Sequence, residues 1–162
     1  MTIRWLGTYS MIAVVLTLAA CGKKATKATA EGPITTGILC GGSEEMEYTK
    51  QTFNVATGPA ILAGGSCKMT LTDCQITAHS PGFGMAAVVA GGSAVVTMVN
   101  TTVNGSPALS TGGSATVDLQ GGSLQGDVAV EAGGSAHVKA SGVAVHGKVN
   151  RGGSAVLTGL AR

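Results

Sequence analysis

The sequence predicts an all-β chain, a right-handed parallel β-helix solenoid of about five and a half coils with roughly 21-residue repeats, running from about Gly37 to Arg162. Three observations lead there. The stretch GSPALSTGGSATVDLQGGSLQ from Gly105 is answered by GDVAVEAGGSAHVKASGVAVH from Gly126, each opening on glycine and reaching GGS at its eighth position. Apolar residues recur at fixed offsets from GGS, and within a unit they alternate with polar ones at the period of an extended strand. Flexible Gly/Ser linkers hold no apolar positions in register, so GGS here marks a structural repeat.

Two segments precede the repeat. Met1 to Ala20 carries Arg4 near its start and the ten-residue apolar run MIAVVLTLAA, too short to span a bilayer, so residues 1–20 are expected to be a signal peptide outside the fold. The run ends in Leu18-Ala19-Ala20-Cys21-Gly22, which resembles the lipobox of bacterial lipoproteins. That resemblance implies cleavage before Cys21 and acylation of its thiol, with Ala19 and Ala20 small enough for the protease cleft. Each buried methylene contributes about 0.8 kcal/mol, so two or three acyl chains hold a protein stably at a membrane. In Gram-negative lipoproteins an Asp after the cysteine retains the protein in the inner membrane. Gly22 stands there, which implies the bacterial cell envelope and, in a Gram-negative host, the outer membrane. Residues 21–36, from the lipidated Cys21 through GKKATKATAEGP, are expected to form a flexible tether, with Lys23, Lys24 and Lys27 near anionic head groups.

The repeat body can be tested by counting. Glycines 37, 58, 84, 105, 126 and 147 open units spaced by 21, 26, 21, 21 and 21 residues, and GGS begins at Gly41, Gly64, Gly91, Gly112, Gly133 and Gly152. One further GGS, at Gly121, falls outside this register. With the first glycine of GGS as position one, the sixth position holds Met46, Met69, Val96, Val117, Val138 and Leu157. The thirteenth holds Phe53, Ile76, Val103, Leu124 and Val145, and three residues before GGS stand Ile38, Ile61, Val88, Leu109, Val130 and Val149. Equal offsets in successive units mean like stacked on like around a dry interior. A coil of about 21 residues at ~3.3 Å each has a perimeter near 70 Å, suited to three strands and three bends. This arrangement resembles the pectate-lyase-like superfold. An antiparallel meander with GGS as hairpin turns explains the alternation but leaves the register between columns as coincidence.

Sharp corners call for glycine, which takes positive φ without a Cβ clash, so valine at Gly113 or Gly134 is expected to destabilise the fold. Glu44, Glu45 and Glu47 make the first coil atypical, a candidate cap, whereas the last coil leaves strand edges expected to pair with a partner or a second copy. With Cys21 lipidated, three cysteines remain. Cys67 and Cys74, positions four and eleven of one coil, form the candidate disulfide. Cys40 is the alternative partner, and three buried thiols are the remaining reading.

Chemistry is sparse. After the first coil the acids are Asp73, Asp118, Asp127 and Glu131, each isolated, and a formal net charge of +2 gives no reason to expect a nucleic-acid partner. Asp118 and Lys139 share the seventh position of adjacent coils and are expected to form a surface ion pair. His79, His137 and His146 are expected to be solvated, and no catalytic residue, metal or cofactor is expected. The second unit carries an additional run, HSPGF, which makes His79 and Phe83 a candidate partner-contact loop. The outward row Glu47, Thr70, Thr97, Asp118, Lys139 and Thr158 is too broken by charge to present a flat threonine array. The function expected is that of a lipid-anchored envelope protein with a structural, adhesive or partner-binding role. The alternative is a small carbohydrate-active protein, lyase-like or glycan-binding.

Overall fold

The computed structural model describes residues 26–28, 32–79 and 85–160. Fourteen strands follow one another in these segments: β1 (Thr26–Ala28), β2 (Ile38–Cys40), β3 (Glu45–Thr49), β4 (Thr52–Val55), β5 (Ile61–Ala63), β6 (Lys68–Thr72), β7 (Gln75–Ala78), β8 (Val88–Ala90), β9 (Val95–Asn104), β10 (Leu109–Thr111), β11 (Thr116–Ala132), β12 (His137–Ser141), β13 (Ala144–Arg151) and β14 (Val156–Thr158). No helix occurs among the described residues. Each strand pairs in parallel with its counterpart one coil away, so the chain is a parallel β-solenoid with three faces. The first face stacks β1, β3, β6, the start of β9, the start of β11, β12 and β14; the second stacks β4, β7, the end of β9, the middle of β11 and the start of β13. The third stacks β2, β5, β8, β10 and the ends of β11 and β13.

The expected columns are physical stacks. Met46 pairs with Met69, Met69 with Val96, Val96 with Val117, Val117 with Val138 and Val138 with Leu157. Phe53 to Val145 on the second face and Ile38 to Val149 on the third are registered in the same way. These side chains fill one continuous interior, with Met69, Val96, Val117 and Val138 fully buried and Met46 and Leu157, at the two ends, half-buried. Tyr48 and Phe53 meet edge to face at 5.4 Å in the first coil and close the shaft there with aromatic bulk.

The coils repeat at about 21 residues, as expected, and their individual lengths follow the GGS columns rather than the opening glycines. From Met46 onward the stacked partners are 23, 27, 21, 21 and 19 residues apart. Ile38 to Val55, Ile61 to Ala78, Val88 to Gly105, Leu109 to Gly126 and Val130 to Gly147 are nonetheless 18 residues each. All the variation falls where the second face gives way to the third, in the stretches that follow Val55, Ala78, Gly105, Gly126 and Gly147. The opening glycines therefore do not set the register throughout. Gly105, Gly126 and Gly147 do stack, but a Cβ on Gly37 would strike the carbonyl of Pro59.

At the GGS corner the second glycine is the one with positive φ, between +60° and +65° from Gly42 through Gly153. The serine amide after it continues the ladder, as in Ser114 N–H to Gly92 O at 2.7 Å and Ser135 N–H to Gly113 O at 2.7 Å. The corner between the first and second faces holds Lys50, Asp73, Asn100, Gly121 and Gly142, all left-handed. The out-of-register GGS at Gly121 is explained by this column, in which Asn and Gly tolerate the left-handed conformation that other residues avoid.

The cysteine pairing is corrected. Cys67 bonds to Cys40, with 5.9 Å between Cα atoms, and Cys74 is free and buried. Cys67 and Cys74 bracket β6, and seven extended residues span ~23 Å, far beyond the reach of a disulfide. Cys40 enters the GGS corner of its coil while Cys67 leaves that of the next, so their side chains converge inside the corner. The later coils place small residues there, including Ala94, Ala115, Ala136 and Ala155.

The N-terminal boundary also moves. Residues expected in the flexible tether include Thr26–Ala28, which pair with Met46–Tyr48, and Ile34, whose N–H donates to Thr52 O at 2.7 Å. Backbone pairing by these segments covers the first coil. The acids expected as its cap do other work: Glu44 Oε2 accepts from Gly41 N–H at 3.1 Å and Glu45 lies 3.2 Å from Lys68 Nζ. The signal-peptide segment, Cys21, Phe83, Ala161 and Arg162 lie outside the described residues.

Candidate functional site

An inward shaft this uniform leaves function to the outer surface, where side chains between the buried columns project. On the first face, outward positions of β9, β11 and β12 border an open cleft of about 450 Å³ lined by Val99, Asn100, Asp118, Gln120, Gly121, Lys139 and Ser141. It exists because Gly121 contributes no side chain to the corner, so the row of longer residues beside it stands proud. Asp118 and Lys139 are register partners, as expected, but they are not bonded to each other. Asp118 Oδ2 instead accepts from Gln120 Nε2 at 3.3 Å along its own strand. Asp118 is half-buried and Lys139 exposed, and a surface ion pair between them would contribute no more than about 1 kcal/mol. The cleft therefore presents a carboxylate, an ammonium, two amides and a hydroxyl, a mixture suited to hydroxyl-rich ligands.

Asn100 Nδ2 also donates to Asp73 Oδ1 at 3.4 Å, linking the left-handed corner residues of two coils. His79 is exposed at the start of the longest corner, with Nε2 2.9 Å from Asn54 Oδ1, so a side chain of the coil before it fixes its ring. His137 is exposed on the first face and His146 on the second. The three imidazoles are not brought together. Among the described residues no group of three or more His, Cys, Asp or Glu is placed to hold a metal ion, and no helix is long and apolar enough to cross a membrane.

Cys74 is buried at the corner opposite GGS, its thiol 3.4 Å from Thr72 O and 3.6 Å from Tyr48 O. Burial pushes this thiol above its ordinary value. The corresponding residue one coil on, Thr101, is also buried and donates to Leu71 O at 3.2 Å. Both side chains donate to backbone carbonyls beside the turn, and Thr72 O also accepts Lys50 N–H at 2.9 Å, so their role is structural.

Sequence reasoning attended to the inward columns and missed an outward one. Two residues before GGS stand Leu39, Leu62, Val89, Ser110, Glu131 and Asn150, stacked in that order on the third face. Leu39 is 66% exposed and Leu62 37%, and Met85, in the adjoining corner, is 49% exposed. The same offset count that found the core would have shown this row changing from apolar to polar along the axis.

Fold and surface together define a parallel β-solenoid with a sealed aliphatic shaft and its distinguishing chemistry on the outside. No protein-family model, no curated protein and no solved structure matches the chain.

Proposed function

We propose that this chain is a non-catalytic solenoid held on the bacterial cell envelope by lipid on Cys21, serving as a stiff structural, adhesive or partner-binding shaft. In a Gram-negative host, Gly22 after that cysteine directs it to the outer membrane. The observation that carries this reading is the junction itself: LAAC is followed, after four residues, by a strand already paired onto the end of the solenoid. Anchor and rod are joined with no intervening domain, the arrangement of a device meant to stand at a surface. Titratable groups scattered over different faces support binding over catalysis.

The test is detergent partitioning and intact mass of the protein made in a bacterial host. The wild-type chain is expected in the detergent phase with the mass of an acylated Cys21 N-terminus. Cys21→Ser is expected in the aqueous phase. An unacylated wild-type chain in the aqueous phase rejects the reading.

The first-face cleft favours a second reading, a glycan-binding protein, because it sets a carboxylate, an ammonium, two amides and a hydroxyl side by side, groups of the kind that hydrogen-bond sugar hydroxyls. Incubation with a panel of acidic polysaccharides, following melting shifts and unsaturated products, separates the two. A melting shift lost in Asp118→Ala and Lys139→Ala supports glycan binding, and unsaturated products support a lyase.

A further inference from the structure

We propose that the third face of the first three coils lies against the lipid bilayer, with Leu39, Leu62, Val89 and Met85 seated among the head groups and upper acyl chains. The inference rests on the anchoring of Cys21 and goes beyond it by assigning an orientation and a contact surface. Its first support is the exposed row itself. Leucine, leucine and valine occupy one outward column in three successive coils, although water solvates that column elsewhere through Ser110, Glu131 and Asn150. Val89 is half-buried, and Leu39, Leu62 and Met85 are the more exposed members of the patch. An apolar stripe confined to one end of a solenoid marks a contact that only that end makes.

Its second support is reach. Four residues separate Cys21 from Thr26, the first residue of β1, which stacks on the end of the solenoid through Met46. At no more than ~3.6 Å per residue, the anchor lies within about 18 Å of chain from β1. Strands in neighbouring coils are ~4.8 Å apart, so Leu39, Leu62 and Val89 span only about 10 Å along the axis, less than the tether's own length. Met46 and Leu39 sit on either side of one GGS corner, so the tether starts beside the edge of the apolar face. An acyl chain at that place brings the row to the bilayer surface, and Lys23 and Lys24 in the tether add attraction to anionic head groups.

A bilayer accounts for the gradient better than a protein partner or a second copy does. The anchored end is the end nearest the lipid, and the row is apolar in the first three coils and polar from Ser110 onward. The shaft then leans on its first three coils, while Glu131 and Asn150 stand clear in water.

Tryptophan fluorescence tests this directly. Trp5, the chain's single tryptophan, lies in the segment that cleavage before Cys21 would remove, so the mature protein carries no tryptophan, and excitation at the red edge of the absorption band avoids Tyr48. Leu39→Trp and Leu62→Trp, each at an exposed position on the third face, are made in the full chain, with Glu131→Trp as the control in the same row. The acylated proteins are reconstituted in vesicles of phosphatidylethanolamine and phosphatidylglycerol, with and without brominated acyl chains. Expected are blue-shifted emission at positions 39 and 62, several-fold stronger quenching by bromolipid than at position 131, and protection from aqueous iodide. Equal quenching at the three positions, in protein whose mass shows acylated Cys21, overturns the contact and leaves the anchor intact. Protection from iodide without bromolipid quenching means that protein covers the row, and it also overturns the proposal. Unacylated Cys21 removes the anchor and the proposal together.

Discussion

Replacing Gly113 by alanine isolates the corner from everything else in the coil, because its neighbour Gly112 supplies an internal control. Gly113 has φ +65°, and a Cβ there would stand 2.8 Å from Gly92 O and 3.0 Å from Gly92 N. Neither atom can retreat on its own. Gly92 O already accepts Ser114 N–H at 2.7 Å, and each corner is stacked on the one before it from Gly42 to Gly153. The left-handed backbone costs a residue with a Cβ about 1–2 kcal/mol, and relieving the overlap costs a further ~1–3 kcal/mol. At about 2–4 °C per kcal/mol for a domain of this size, Gly113→Ala should lower Tm by roughly 4–20 °C. Gly112 has no heavy atom within 4 Å of an added Cβ and no positive φ. Its alanine variant should melt within ~2 °C of the parent, aided if anything by a less flexible unfolded chain. The assay is thermal unfolding of the two variants side by side by circular dichroism. Equal melting of Gly112→Ala and Gly113→Ala would refute the claim that glycine is required at the second position by close stacking.

Three further outcomes follow from the interior. Reducing the Cys40–Cys67 bond, which closes a sequence separation of 27, should cost about 2–4 kcal/mol, and thiol counting before and after reduction should find Cys74 unreactive until the protein unfolds. Thr111→Val should raise Tm, because the Thr111 hydroxyl is buried without a hydrogen-bond partner, and removing such a group recovers about 1–3 kcal/mol of desolvation. Alkaline stability should fall with pH, since burial raises Cys74 from 9.0 and Tyr48 from 10.0. Above the unfolded values the folded chain keeps protons that the unfolded chain has lost, so stability is complete below them and declines as pH rises towards the folded ones. Cys74→Ala should flatten the lower part of that decline in urea titrations run at a series of pH values.

The inward columns were legible because a solenoid repeats the same environment at the same offset, so Val96, Val117 and Val138 had only one pattern to satisfy. The second corner was not, because Lys50, Asp73, Asn100, Gly121 and Gly142 share a backbone conformation without sharing polarity or size. Hydropathy counting is blind to φ. The disulfide is not legible from one coil: Cys67 and Cys74 could meet only across its interior, where β6 holds them apart, whereas stacking makes residues more than twenty apart into neighbours. The opening glycines are poor markers for a related reason: Gly37 and Gly58 look equivalent in sequence, but only the frame from the third face through the second keeps its length from coil to coil. The candidate site was the least legible part. Asp118 and Lys139 were placed correctly in register, yet register does not decide whether two solvated charges meet.

Two of the three corners are pinned and one is free, and this asymmetry says where the molecule can acquire specificity. At GGS, the second glycine stacks on its counterpart with no room for a side chain; at the second corner, a left-handed residue in every coil, joined by Gly122 beside Gly121, connects faces of fixed length. An added residue at either would shift every later side chain on the strand by one position and turn core residues to solvent. Between the second and third faces the chain runs through one to nine residues before the register resumes, so length there is decoupled from the shaft. His79 and Met85 lie in that corner, beside the apolar row of the third face. Surface chemistry can therefore change at this edge while the ladders of Val, Leu, Met and Ala stay in place, which is what a shaft that must hold its shape against a membrane or a partner requires.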